Sequence, residues 1–230
     1  TLTGRYWRVK GRDTTGLAVL MAQPPFLALV TWLVFPMPPP SMLFMLTLSC
    51  LWFGMSAAVR ELISDRVVWN RERRVGVGVL PYVVSKVVVL GLLVFGQCAL
   101  LATLDWVGFG LWDAGFPLLK LVTASTLVGV LGMSLGLLMS ALFLSSEAAV
   151  GTLPLLLIPQ ITFSSLLVSL RLVPRSAWLL SWFDPLRYAF DAIIKTGMSW
   201  DGAAWQLGHL YQPPRYGDDW EQAKMGLNGV

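Results

Sequence analysis

Few residues in this chain could support covalent or metal chemistry, and their spacing excludes most of it. His209 is the sole histidine among 230 residues, so neither a two-histidine metal site nor an HExxH helix can be assembled. Cys50 and Cys98 both fall in long apolar runs, where cysteine is expected as a buried free thiol and not as half of a disulfide. The dipeptide Gly-Lys never occurs, so there is no GxxxxGK[ST] phosphate loop. Gly76-Val77-Gly78 has the glycines of such a loop but not its lysine, and Pro81 follows at once. Catalytic, cofactor-binding and metal residues are therefore expected to be absent, and any ATP would be bound elsewhere. His209, Asp191, Asp218 and Asp219 could serve a lipid-modifying enzyme, but no spacing among them fits a catalytic arrangement. The densest ionisable group is Glu61, Asp65, Arg66, Arg71, Glu72 and Arg73. Acids and bases interleaved at helical spacing suit a docking surface that receives force from a partner. Fixing membrane topology would need only a few basic residues.

The elements that must position these residues are apolar. The chain is 56% hydrophobic and 13% charged, with a mean hydropathy of +0.67, whereas about a quarter of a soluble domain is charged. That excludes a disordered chain, a small disulfide scaffold and most soluble enzymes. Stretches 17–35, 42–59, 87–104, 121–146 and 148–170 carry no charge. A membrane-spanning helix needs ~20 apolar residues, while a helix buried in a soluble core runs to ~10–14 and shows a polar stripe. The expected fold is an all-α polytopic membrane bundle with spans at 17–35, 42–59, 82–104, 121–146 and 148–170. The first run is too long for a signal peptide and contains Gln23-Pro24-Pro25.

Charge sets the expected orientation. Arg5, Arg8, Lys10 and Arg12 precede the first run, and Arg60, Arg66, Arg71, Arg73, Arg74 and Lys86 follow the second. The connection at 36–41 has no charge, and the next outer one has Asp105, Asp113 and Lys120. Cytoplasmic loops collect Lys and Arg. Residues 1–16 are thus expected as a cytoplasmic interfacial helix and 60–78 as a cytoplasmic elbow, with Leu62, Ile63, Val67 and Trp69 partly buried. Local pairing is expected among Glu61, Asp65 and Arg66 and between Glu72 and Arg73. Gly76 and Gly78 should end the elbow, and Pro81 should start the next helix. The net charge of +4 therefore points to membrane lipid and not to nucleic acid. Residues 171–224 are expected outside, with an interfacial or re-entrant helical piece over 176–195 that sets Trp178, Trp182 and Tyr188 at headgroup depth. Residues 225–230 turn apolar again, as the start of a sixth span.

Within the spans, Gly132, Gly136 and Ser140 share a face with Gly129 nearby, a pattern that lets helices approach closely in lipid. Gln160 suits either an interhelical hydrogen bond or a contact on a pathway. Coupled carriers and ion channels commonly place charges within the membrane. Their absence from the five runs suits an amphipathic or lipid-like cargo and an external energy source.

The elbow resembles the segment after the second span in membrane domains of ABC-2 type ABC exporters, and most closely the White-like G subfamily. The resemblance rests on Glu61, Asp65-Arg66, Arg71-Glu72 and Tyr82 before Ser85-Lys86. It continues through Gly136 to Ser140, Ser145-Ser146-Glu147-Ala148, Ile158-Pro159-Gln160 and Phe163-Ser164-Ser165, where the family often has Ser-Gly after the Phe. It ends in Phe183-Asp184-Pro185-Leu186-Arg187-Tyr188. It implies a permease domain of an ATP-driven exporter in the plasma membrane, with its N-terminus in the cytosol. Two copies would form a homodimer, each joined to a nucleotide-binding domain that holds ATP and Mg. The elbow would couple to that domain. The pathway would lie between second and fifth spans, at Thr47, Cys50 and Gly54 on one and Leu156, Gln160 and Phe163 on the other. The alternative is a membrane anchor or receptor, or a lipid-modifying enzyme.

Overall fold

The computed structural model describes residues 2–35, 40–113, 115–164 and 184–197. Among them there are helices and no strand: α1 Leu2–Arg12, α2 Thr14–Val34, α3 Pro40–Ala58, α4 Glu61–Ser64, α5 Arg66–Arg74, α6 Val79–Gly108, α7 Leu118–Leu142, α8 Ser146–Phe163 and α9 Pro185–Thr196. By length and composition, five can cross a membrane: α2, α3 with its extension to Ser64, α6, α7 and α8. These correspond to the five expected spans, with shifted ends. The residues expected to begin a sixth span, 225–230, lie outside the described residues, as do Trp178, Trp182 and the rest of 165–183.

Local chemistry accounts for the shifts. Asp13 caps α2 by accepting from Gly16 N at 2.9 Å, so α1 ends directly at the first span. Ser145 caps α8 by accepting from Ala148 N at 3.2 Å, and Glu147 lies in the first turn, where the helix dipole favours an anion. That cap stops α7 at Leu142, short of the expected 146. α6 runs on to Gly108 and takes in Asp105, which the sequence suggested for a connection. Asp105 is fully buried and accepts from the Thr31 hydroxyl of α2 at 3.2 Å.

The bundle is built around α3, the most buried of the five, which is apolar on every face, as a central helix must be. Its main neighbour is α7. A Cβ on Gly54 would come within 1.9 Å of Gly129 O, one on Gly132 within 2.1 Å of Leu51 O, and one on Gly136 within 2.6 Å of Met55 O. The backbones therefore touch where the glycines lie, as small residues permit in lipid. α2 packs on α6 through a different device. Pro24 has no N–H to bond the carbonyl four residues back, and Gln97 of α6 donates to that carbonyl, Leu20 O, at 2.8 Å. The outward faces stay apolar: Phe26, Leu29 and Leu33 of α2 and Leu155 and Ile158 of α8 are exposed, as lipid-facing positions should be.

The bundle has two distinct ends. At one, Trp106 donates to Phe116 O at 2.8 Å, and Gly110 and Gly115 turn the 109–117 connection at positive φ. α9 packs at this end, with Phe190 edge-on to Phe44 at 5.4 Å between ring centres. At the other end lie α1, α4, α5 and the first turns of α6.

Candidate coupling site

The expected elbow is a single amphipathic helix. The structure instead divides it at Asp65 into α4 and α5. The cause is docking. Ser140, near the end of α7, accepts from Leu62 N at 2.9 Å and Ile63 N at 3.2 Å, satisfying two free amides of the first turn. Arg66 donates to Phe143 O at 3.0 Å, just beyond the end of α7. The bend turns Asp65 inward. Past α5, Gly76 takes φ +87°, Gly78 is extended, and α6 starts at Val79 with Pro81 in its first turn, where a missing N–H costs nothing.

Lys86 is at the centre of this end, 2% exposed. It pairs with Asp65 and lies 3.7 Å from Glu61. Its ammonium sits 3.6 Å from the centre of the Tyr6 ring, within cation–π range. Glu61 also accepts from Lys10 and from the Tyr6 hydroxyl. Glu72 pairs with Arg5. Burial and the neighbouring Glu61 push the Tyr6 phenol far above its ordinary range, so Tyr6 stays a neutral donor. Trp69 stacks on Tyr82 with ring centres 4.4 Å apart. Three carboxylates of the elbow are thus matched by three cations, two from α1 and one from α6. A buried ion needs such a partner.

This differs from the expected surface in a specific way. The local pairs of Glu61 and Asp65 with Arg66, and of Glu72 with Arg73, do not form among the described residues. The acids reach across to other helices. Val67 is exposed and not buried. Arg71, Arg73 and Arg74 stay exposed, so the outer face of α5 is basic and apolar, without its acids. Arg5, Tyr6, Lys10 and Ser140 were not expected as members of this site. The legible signal was Lys86: a lysine well inside a 30-residue apolar helix requires a buried counter-charge.

The residues suggested for a pathway are placed less simply. Thr47 and Cys50 are fully buried, and Gly54 abuts Gly129, so this face meets the chain's own α7. The Thr47 hydroxyl donates to Leu43 O at 2.7 Å. Cys50 and Cys98 are free and buried. On α8, Leu156 and Phe163 are half-buried and Gln160 is buried. Its amide donates to Leu156 O in its own helix at 3.1 Å and, among the described residues, not across to another. α3 and α8 share no extended contact within one chain. Of the residues considered for a lipid enzyme, Asp191 is buried in α9, while His209, Asp218 and Asp219 lie outside the described residues.

Comparison with known proteins gives two findings. Residues 1–197 match the family described as ABC-2 type transporter. The chain is also similar to the "ABC transporter ATP-binding/permease protein Rv1747" of Mycobacterium tuberculosis (strain ATCC 25618 / H37Rv), at 29% identity over 167 residues. That match covers 70% of this chain and 19% of the relative.

Proposed function

The chain belongs to the ABC-2 type transporter family as an integral membrane permease domain, and from that premise we propose that it is the membrane half of an ATP-driven exporter. Its cargo would be amphipathic or lipid-like, moved outward by alternating access, and its relation to the family would be closest to the White-like G subfamily. A nucleotide-binding domain, fused or separate, would hold ATP and Mg, and two permease domains would assemble as a homodimer in the plasma membrane with N-termini in the cytosol. The observation that carries this reading is the ionic knot around Lys86. It ties the elbow to α1 and α6 while Ser140 ties it to α7. A push on the basic outer face of α5 would therefore be delivered to three elements together. ATP would act by favouring the outward state over the inward one. Glu61, Asp65 and Glu72 would transmit that push, Arg66 would hold the elbow to α7, and Arg71 and Arg73 would meet the ATPase. In the dimer, the half-buried face of α8 at Leu156, Gln160 and Phe163 would border the pathway, with Thr47, Cys50 and Gly54 reached when α3 and α7 part.

The test is transport by the complete protein with its ATPase in proteoliposomes. ATP-dependent accumulation of a fluorescent amphiphile, lost when the ATPase is inactivated, is the expected result. Chemical conversion of the amphiphile without ATP-dependent movement would replace this reading with a lipid-modifying enzyme.

A further inference from the structure

At the end of the bundle opposite the elbow, α7 and α9 enclose an open groove of about 610 Å³. Among the described residues its walls are Leu119, Thr123, Ala124, Leu127, Ala192 and Thr196, and its cations are Lys120 and Lys195. Among the described residues no acidic side chain lines it, and neither lysine ammonium has an ion pair or hydrogen bond. Leu119 and Leu127 are 78% and 65% exposed. In a membrane-spanning helix such exposure faces lipid. Lys120 lies in the first turn of α7, next to the 109–117 connection, and so at the depth where headgroups begin. Two unneutralised lysines beside a bare apolar wall match the two parts of an anionic amphiphile.

We infer that this groove holds one anionic phospholipid of the surrounding bilayer. Its phosphate lies between Lys120 and Lys195, and an acyl chain runs down α7 over Ala124 and Leu127. The apolar wall supplies burial of the chain. The lysines supply the preference for negative headgroups, a juxtamembrane attraction that acts per cation. The site is separate from the coupling end and from the pathway suggested for the cargo, and it depends only on the chain spanning a membrane.

The complete transporter, delipidated in detergent, is titrated with phosphatidylglycerol, with phosphatidylcholine of the same chains, and with glycerol phosphate. Bound species are counted by native mass spectrometry. Phosphatidylglycerol should be retained in preference to phosphatidylcholine. K120Q/K195Q should weaken its retention about 30-fold, the combined worth of two lysines at an anionic surface. K120R/K195R should keep it, with melting temperatures unchanged in both variants. If the double glutamine variant does not fold, K120Q and K195Q singly should each weaken retention by about fivefold on the same scale. Equal retention of phosphatidylcholine, or unchanged retention in the glutamine variants, overturns the proposal. So does glycerol phosphate binding as tightly as the lipid, which would make this a bare anion site. A disulfide between Ala124→Cys and a cysteine placed within 198–224 that still forms, under added oxidant, when phosphatidylglycerol is saturating also overturns it, because the chain would then cover its own groove.

Discussion

Lys86 shows how one buried charge organises its surroundings. Replacing it with Met leaves Glu61 and Asp65 without their shared cation. Breaking a buried pair from one side costs about 3–5 kcal/mol, and because the Asp65 side chain is 34% exposed the loss should fall at or below the lower end of that range. Thermal unfolding in detergent should show K86M well below wild type and K86R between them; equal melting temperatures would mean that the knot contributes nothing. Arg73 is exposed, and R73Q should stay within about 0.5 kcal/mol of wild type in the same assay, as surface substitutions do. Asp184 gives a pH signature at the other end. It caps α9 by accepting from Leu186 N at 3.0 Å, and burial pushes its carboxyl up to about 6 from 3.8. Between those values the folded state binds more protons than the unfolded state, so this group makes stability fall as pH rises from about 4 to about 6. Above that window its effect is constant. D184N keeps a cap-forming side chain and should remove this component of the slope in melting temperature measured from pH 4 to 7. A slope identical in wild type and D184N would show that the group does not titrate there.

Among the helices, the contact of α3 with α7 is set by the glycines. Gly132→Ala drives a Cβ against the Leu51 carbonyl, and backbone has no rotamer by which to yield. Overpacking of this kind costs about 1–3 kcal/mol, and G132L should exceed that and abolish a monodisperse peak in size-exclusion chromatography. Gly151 of α8 is the control. A Cβ there meets nothing within 4 Å, so G151A should match or exceed wild-type stability, since Gly is the weaker helix former. If G132A and G151A melt alike, the close approach of the two backbones is wrong. The sequence showed that Gly132, Gly136 and Ser140 share a face. It did not show that Ser140 turns from packing to capping and accepts two amides of α4, because the identity of the facing residues depends on where α3 ends and the elbow begins.

For the assembled transporter, the division of charge in the elbow gives a sharp expectation. Among the described residues Arg71 and Arg73 form no ion pair and are exposed on the outer face, while Glu72 is held by Arg5. R71E/R73E should therefore leave expression, dimerisation and melting temperature near wild type, while lowering cargo-stimulated ATP hydrolysis and export together. Export at the wild-type rate would reduce the elbow to a topology signal. Opposite ends should also label from opposite sides: R73C from the cytosol and D113C from outside, tested with an impermeant maleimide on intact cells and on inverted vesicles. The five long helices, their order, the alternation of basic and neutral connections and the glycine face of α7 were legible in the residues. Hydrophobic run length and helical period are local properties, and lipid makes nearly every long apolar run a helix. The partners of Glu61, Asp65 and Glu72 were not. Nearby arginines offered local pairs, yet the acids pair with residues 51, 67, 21 and 25 positions away, at Lys10, Arg5 and Lys86. Those distances close only after α1, α6 and α7 have packed and the elbow has bent at Asp65. A buried charge is satisfied by whichever counter-charge the fold brings to it, so tertiary packing, and not sequence proximity, chose the pairs.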